Sequence, residues 1–126
     1  MSAPRLESFD VLVVDDDPDV LDVLALALRS EGATVTTAAD GDEAIAQLAR
    51  KRPDLIVLDM MLPRRSGFLV LEEIQTHDAP PPVIMVTANE GRRHRSYAES
   101  LGVAAYLNKP ISIERLLDVA CEALPK

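Results

Sequence analysis

Three short runs of uninterrupted aliphatic residues constrain the fold of this chain more than any other feature. They cover residues 11–14, 55–58 and 83–86, and each is four residues long. Four residues are too few for an ordinary helix, and the lack of polar residues suits strands buried on both faces of a parallel sheet. Such strands end at the carboxyl edge of the sheet, where ligands bind in open α/β folds. The residues that follow these runs are therefore the first candidates for chemistry.

An amphipathic segment follows the first run. It is predicted to form a helix that begins at Pro18, because proline is favoured in a first helical turn, and that stops near Gly32. Its core-facing residues are predicted from the i, i+3, i+4, i+7, i+8 pattern to be Val20, Val23, Leu24, Ala27 and Leu28. On that assignment Leu21, Ala25 and Leu26 lie off the core stripe.

The rest of the chain continues the alternation of strand and helix. The remaining segments are predicted in this order: a strand at 34–38, a helix capped by Asp40 and Glu43 that runs to about Arg50, a helix at 68–74, an Arg-rich helix to about Leu101, a strand at 104–107, and a helix capped by Ser112. Five strand–helix pairs with short connections predict an α/β fold with a parallel sheet and helices on both faces. We expect one domain over residues 10–124, preceded by a short polar tail at 1–9.

Composition narrows the classes of function. The formal net charge of −8 repels a phosphate backbone and argues against nucleic-acid binding by this chain. No apolar run approaches the roughly 18 residues that span a bilayer, and the N-terminus lacks the apolar core of a signal peptide, so a cytoplasmic location is expected. The single cysteine, Cys121, excludes an internal disulfide. With only two histidines, any metal should be a hard cation bound by carboxylates.

Polar side chains follow four of the five predicted strands. They are Asp15, Asp16 and Asp17 after the first strand, Asp59 after the third, Thr87 after the fourth and Lys109 after the fifth. Because parallel strands share a direction, these side chains should meet at one edge of the sheet. The carboxylates would repel one another unless a cation bridged them, and Mg²⁺ suits such a cluster. Thr87 and Lys109 could contact a phosphoryl group there, and a carboxylate facing them could be a nucleophile that forms an aspartyl phosphate.

Four stretches carry a resemblance to a known family. In chain order they are VLVVDDDP, DLIVLDMMLPRRSG, VIMVTA and YLNKP. Together they resemble the response-regulator receiver domain of two-component signalling, over roughly Asp10 to Leu124. The resemblance implies a flavodoxin-like, three-layer (βα)5 sandwich with strand order 2-1-3-4-5. It also implies a phosphorylation-controlled switch rather than an enzyme, with a histidine kinase or histidine phosphotransfer protein as phosphodonor.

The resemblance assigns the metal and phosphorylation roles to individual residues. Asp59 matches the phosphoacceptor, and Asp15 and Asp16 match the acidic pair that holds Mg²⁺ together with Asp59. Met61 matches the position whose backbone carbonyl completes the metal site. Leu62 stands where the family often has methionine.

The resemblance also assigns the residues that respond to phosphorylation. Thr87 matches the switch hydroxyl, Lys109 the phosphate-binding lysine and Tyr106 the switch aromatic, which is expected to turn inward. The fourth helix, last strand and last helix are the expected surface for dimerisation or for an output domain.

Other interpretations of the same residues remain open. Asp15 to Asp17 could be helix-cap and first-turn charges, and Asp17 in particular suits the cap. A haloacid-dehalogenase-like phosphatase that uses Asp15 would also place an Asp-x-Asp after a buried strand, but it leaves Asp59 without a role. A pseudo-receiver that only binds proteins is the second alternative. The cluster at Arg92, Arg93 and Arg95 favours a solvated face over an anion site.

The first helix offers a candidate surface for the phosphodonor. It starts beside the predicted acidic pocket, which the donor must approach. We therefore hypothesise that Leu21, Ala25 and Leu26 form part of a docking patch for a kinase or phosphotransfer helix bundle.

Overall fold

Five parallel strands form the sheet in the order β2-β1-β3-β4-β5. In the computed structural model, which describes residues 4–88 and 91–124, they alternate with five helices. The elements are β1 (Asp10–Val14), α1 (Pro18–Ser30), β2 (Thr34–Ala38), α2 (Gly41–Arg50), β3 (Leu55–Asp59), α3 (Gly67–Gln75), β4 (Val83–Thr87), α4 (Arg92–Ser100), β5 (Ala105–Asn108) and α5 (Ile113–Ala123). This confirms the predicted α/β architecture and strand order. Within the described ranges, no helix is both long and apolar enough to cross a membrane.

The alternation of side chains along the strands divides the core into two layers. In β3, Leu55 and Val57 face the layer that α1 and α5 cover, whereas Ile56 and Leu58 face the layer under α2, α3 and α4. All five residues of β3 are buried. Because a central parallel strand is covered on both faces, the first four side chains of β3 are apolar without alternation, as the sequence indicated.

Short polar side chains begin the helices. The carboxylate of Asp17 accepts a hydrogen bond from the Asp19 N–H at 2.9 Å and caps α1. Asp40 caps α2 by accepting from the Glu43 N–H at 2.8 Å, and Ser112 caps α5. The predicted caps at Asp40 and Ser112 are therefore confirmed.

The set of α1 residues that faces the core differs from the predicted set, because the core-facing stripe is rotated around the helix. Ala25 is only 2% exposed and Leu21 is packed against the core, whereas Val23 is 52% exposed. The helix is apolar around most of its circumference, so two neighbouring stripes both fit the helical period. Tertiary packing selects the stripe that contains Leu21, Leu24, Ala25 and Leu28. The docking patch predicted from the sequence is therefore wrong for Ala25, which lies in the core.

The segment before β1 belongs to the folded unit. Leu6 is fully buried in the layer between α1 and α5. Its N–H donates to the Glu31 carbonyl at 2.8 Å, and the Arg5 guanidinium contacts Asp118 at 3.0 Å. A single leucine among polar residues carries no periodicity, so the sequence pattern gave no sign of this contact.

Replacing Leu6 with alanine tests this packing. We expect Leu6→Ala to lower the free energy of unfolding by about 2–3 kcal/mol, because the buried side chain leaves a cavity. Urea denaturation followed by circular dichroism measures the change. The control is Leu69→Ala, at an exposed leucine of α3, which should change stability by less than about 0.5 kcal/mol. Equal effects of the two substitutions would contradict the burial of Leu6.

Candidate functional site

Three carboxylates meet at the carboxyl edge of the sheet. Oxygen atoms of Asp15, Asp16 and Asp59 all lie within 4.8 Å of one another. The pairing of β1 with β3 produces this cluster, since Val14 is opposite Leu58 and each strand is followed or ended by an aspartate. Asp15 is 1% exposed and Asp59 3%, while Asp16 is exposed. The site is thus a buried carboxylate pair with one carboxylate open to solvent.

Backbone amides hold the two buried carboxylates in place. The Asp17 N–H donates to Asp15 Oδ1 at 2.9 Å, and the Met61 N–H donates to Asp59 Oδ1 at 3.2 Å. Each aspartate therefore accepts from the amide two residues further along the chain, a local turn that fixes the side chain. One oxygen of each carboxylate remains for other partners.

Lys109 bridges these remaining oxygens. Its Nζ lies 2.7 Å from Asp15 Oδ2 and 3.3 Å from Asp59 Oδ2. The chain reaches this position from β5, whose end is linked to β4 by a hydrogen bond from the Lys109 N–H to the Thr87 carbonyl at 2.9 Å. The Lys109–Pro110 peptide bond is cis. One ammonium thus offsets much of the repulsion between two buried negative charges.

Burial and mutual charge shift the protonation equilibria of this cluster. Burial raises the pKa of Asp59, and the negative charge of Asp15 raises it further; the Met61 N–H and Lys109 act in the opposite direction without cancelling the rise. For Lys109, burial opposes the charged form, but the hydrogen bond to Asp15 and the charge of Asp59 outweigh it and raise its pKa. Asp59 is therefore a carboxylate whose charge the fold disfavours.

The other predicted site residues lie on neighbouring elements. Thr87 is fully buried at the end of β4, the strand beside β3. Met61 is the second residue after β3, and its side chain is exposed. Tyr106 lies on β5 in the layer under α4 and is only 7% exposed, so its ring is already buried without the inward turn expected from the sequence.

The Arg-rich helix contacts two of its neighbours. The Arg95 guanidinium lies 5.7 Å from the centre of the Tyr106 ring, and Arg95 also pairs with Glu99 at 3.7 Å. On the α3 side, the ring of Phe68 lies 5.8 Å from that of His94 and 5.2 Å from that of Tyr97. Arg92 and Arg93 are exposed, as a solvated face requires.

The donor set fits a hard divalent cation. Asp15, Asp16 and Asp59 offer carboxylate oxygens from three side chains, and two of these are buried. Mg²⁺ takes one or two carboxylates in an octahedral shell and keeps waters or phosphate oxygens as other ligands, which matches a cluster with one exposed side. Asp17 is outside this group because its carboxylate caps α1.

Comparison with known proteins assigns the family. Residues 11–120 match the family described as the response regulator receiver domain. The chain belongs to this family. Receiver domains generally bind Mg²⁺ at an acidic pocket, and those of response regulators interact with histidine kinases and output domains. The cluster of Asp15, Asp16 and Asp59 is an acidic pocket at the expected edge of the sheet.

Individual relatives support the receiver assignment over nearly the whole chain. The probable transcriptional regulatory protein TcrX of Mycobacterium tuberculosis is 43% identical over 107 residues, covering 85% of this chain and 46% of TcrX. The receiver domain of NtrX from Brucella abortus has a TM-score of 0.85 at 35% identity, covering 91% of this chain and 98% of that one. A CheY-like receiver from Methanospirillum hungatei has a TM-score of 0.86 at 30% identity, covering 93% and 92%. The chain spans about half the length of several curated relatives, TcrX among them.

The receiver assignment does not favour either alternative interpretation. A phosphatase of the haloacid-dehalogenase type needs Asp15 and Asp17 to act together, but Asp17 is engaged at the helix cap. A pseudo-receiver needs no assembled pocket, whereas here Lys109 contacts both buried carboxylates.

Two glycines of the receiver site were missed by the sequence analysis. A Cβ built on Gly67 would lie 2.2 Å from the Asp59 carbonyl oxygen, and one on Gly41 would lie 2.0 Å from the Arg65 carbonyl oxygen. Both positions allow backbone segments to approach more closely than any side chain permits. Sequence alone shows a glycine at each helix start, but it does not show what lies against it.

The raised pKa of Asp59 predicts a pH-dependent effect of neutralising it. The pKa of Asp59 is higher in the folded state than in the unfolded state, because the fold disfavours the ionised carboxylate. Its contribution to stability is therefore present below the unfolded pKa and is lost as pH rises through the folded pKa. We expect Asp59→Asn, measured without divalent cations, to raise the free energy of unfolding at pH 7 by about 1 kcal/mol. The gain over wild type should shrink as pH falls through the folded-state pKa of Asp59, and it should vanish below the ordinary aspartate value of 3.8. Urea titrations across this range measure it, and a difference independent of pH would contradict the shift.

Proposed function

We propose that Asp59 is the phosphoacceptor of this receiver domain. The observation that carries the proposal is the surroundings of its carboxylate, which is buried, touched by Lys109 at 3.3 Å and clustered with Asp15 and Asp16. A carboxylate beside cationic groups can act as a nucleophile toward phosphorus. The proposed donor is a phosphohistidine on a histidine kinase or phosphotransfer protein.

The proposed transfer has a simple chemical balance. An Asp59 oxygen attacks phosphorus in line with the leaving group, so that the O–P bond forms while the N–P bond of phosphohistidine breaks. The electron pair of that bond returns to the imidazole nitrogen. Lys109 supplies positive charge to the phosphoryl oxygens. When Lys109 contacts the phosphoryl group instead of the Asp59 carboxylate, it can keep its ion pair with Asp15. Catalysis is then mainly positioning and electrostatics.

The cation site is proposed to comprise Asp15, Asp16, Asp59 and the backbone carbonyl of Met61. When bound, Mg²⁺ would neutralise charge that builds up on the phosphoryl oxygens. The three carboxylates carry more negative charge than Lys109 can offset, which supports a divalent partner at this pocket.

Thr87 and Tyr106 are proposed to carry the response. Thr87 ends the strand beside Asp59, so its hydroxyl can donate to a phosphoryl group on that residue. Tyr106 lies on the next strand under Arg95 of α4, which supports coupling between the site and α4. The phosphoryl group can shift this equilibrium only by its difference in interaction with the two states. The face of α4, β5 and α5 is the proposed surface for dimerisation or an output domain.

An apolar groove beside the site is the proposed docking surface for the donor. It has a volume of about 480 Å³ and is lined by Asp19, Val20, Val23, Leu24, Lys109, Pro110, Ile111 and Ile113. The groove includes Lys109, so a helix seated in it would bring its phosphohistidine next to Asp59. Val23 replaces Ala25 as the central apolar contact, while Leu26, at 70% exposure, lies farther along α1. Leu21 is turned toward the core.

Phosphorylation by a small acyl phosphate tests the phosphoacceptor. We expect stable labelling of the wild type with Mg²⁺, at least a 100-fold loss with Asp59→Asn, and loss of labelling when Mg²⁺ is chelated. The matched control is Asp17→Asn, because asparagine caps a helix as well as aspartate does and Asp17 lies outside the pocket. Intact mass and peptide mapping measure the label. Labelling of Asp59→Asn at wild-type level would overturn the proposal.

A charge in the groove tests the docking surface. We expect Val23→Asp to slow transfer from any phosphohistidine donor that labels the wild type by about tenfold, because the carboxylate would be desolvated against the partner. Labelling by acyl phosphate should not change, since that donor needs no protein surface. Leu69→Asp, at another exposed apolar residue, is the control and should leave both rates unchanged. Unaltered protein-to-protein transfer in Val23→Asp would exclude this groove.

A further inference from the structure

The loop between β3 and α3 closes directly beneath Asp59. The Gly67 N–H donates to the Met60 carbonyl at 2.9 Å, so the loop returns to its own starting point. A side chain at Gly67 would collide with the Asp59 backbone. The loop contains Met61, whose N–H holds the Asp59 carboxylate. Its conformation therefore bears on the orientation of the proposed phosphoacceptor and of the proposed carbonyl ligand.

The tip of this loop lies against the first turn of α2. The Gly41 N–H donates to the Pro63 carbonyl at 3.5 Å, and a Cβ on Gly41 would lie 2.0 Å from the Arg65 carbonyl oxygen and 2.5 Å from the Arg65 Cβ. Gly41 itself is buried. Only a residue without a side chain permits this approach. The backbone of α2 thus limits where residues 63–65 can lie.

Two ion pairs join the same surfaces. Arg64 Nε lies 3.4 Å from Asp40 Oδ2, and Arg65 Nε lies 3.2 Å from Asp42 Oδ1. Asp40 also caps α2, so the residue that begins the helix is the residue that pairs with the loop. Arg64 has a φ of 69°, in the left-handed region that costs energy for a residue with a side chain. Exposed pairs of this kind contribute little singly, which leaves the backbone contact at Gly41 as the main constraint.

We propose that the start of α2 positions the β3–α3 loop for cation binding. It does so through the close backbone contact at Gly41 and through the ion pairs that Asp40 and Asp42 make with the loop. Gly41 and Arg65 are positioning residues in this scheme, since they act through Met61 and do not contact the cation. The inference rests on the proposed function, in which the Met61 carbonyl is a ligand. Its basis is the contact between Gly41, at the start of α2, and Arg65, in the loop between β3 and α3.

The proposal and simple electrostatics predict opposite effects of the arginines. Arg64 and Arg65 carry positive charge on the loop that leads to the cation site, so removing them should strengthen cation binding by electrostatics alone. Removing them should weaken binding if their role is to hold the loop. The sign of the change therefore separates the two explanations.

The first experiment uses Gly41→Ala and calorimetric titration with Mg²⁺. We expect the dissociation constant to rise about tenfold, and amide exchange at residues 61–66 to become faster, because the added methyl group must displace the loop. The matched control is Gly32→Ala at the opposite edge of the sheet, where the glycine has a φ of 92° and a Cβ would meet Glu7. That variant should lose stability and retain its Mg²⁺ affinity. A Gly41→Ala protein that binds Mg²⁺ within twofold of wild type would overturn the proposal.

The second experiment uses the double variant Arg64→Ala/Arg65→Ala, whose side chains are at the surface and whose loss should not prevent folding. We expect Mg²⁺ binding to weaken about twofold to threefold, and tighter or unchanged binding would overturn the proposal. The wild type separates this inference from the proposed function. If wild type binds no Mg²⁺ and is not labelled at Asp59, the proposed function fails. If wild type binds Mg²⁺ and is labelled while either variant binds as the wild type does, only the positioning role fails.

Discussion

The fold of this receiver domain must accommodate two carboxylates buried side by side. Asp15 and Asp59 extend from adjacent strands that a parallel register brings together, and both are almost fully removed from water. Their charges would be strongly destabilising without compensation. Lys109 and two backbone amides provide part of it. Burial, together with the negative charge of Asp15, still raises the pKa of Asp59, and the carboxylates of the pocket fit a hard divalent cation.

Three separate connections converge on this pair, and each is stabilised from outside the pocket. The β1–α1 connection is held by the cap at Asp17, and the β5–α5 connection brings Lys109 back across the sheet. The β3–α3 connection rests on Gly41 at the start of α2. An element that contains no pocket residue, α2, therefore lies in contact with a loop that leads to the site. This is the usual relation between a rigid sheet and the loops at its carboxyl edge.

Helix α1 illustrates how one amphipathic element serves two purposes. Leu24 and Leu28 pack into the core, while Val20 and Val23 line a groove that continues to Lys109. Such a helix is apolar on more than one side, so the hydrophobic period alone cannot identify the core-facing stripe. The prediction was wrong at Ala25 and Val23 for this reason. The burial of Leu6 was missed for a related reason, since an isolated leucine among polar residues shows no hydrophobic period.

The sequence by itself determined the alternation of strands and helices, the caps at Asp40 and Ser112, and the set of polar residues at the carboxyl edge. These depend on local patterns, such as runs of aliphatic residues, capping side chains and the shared direction of parallel strands. Only the tertiary structure decided that Lys109 bridges Asp15 and Asp59, that Gly41 meets Arg65, and that Leu6 is buried in the core. These contacts join residues far apart in the chain, and their distances depend on how helices pack on the sheet, which no local pattern encodes.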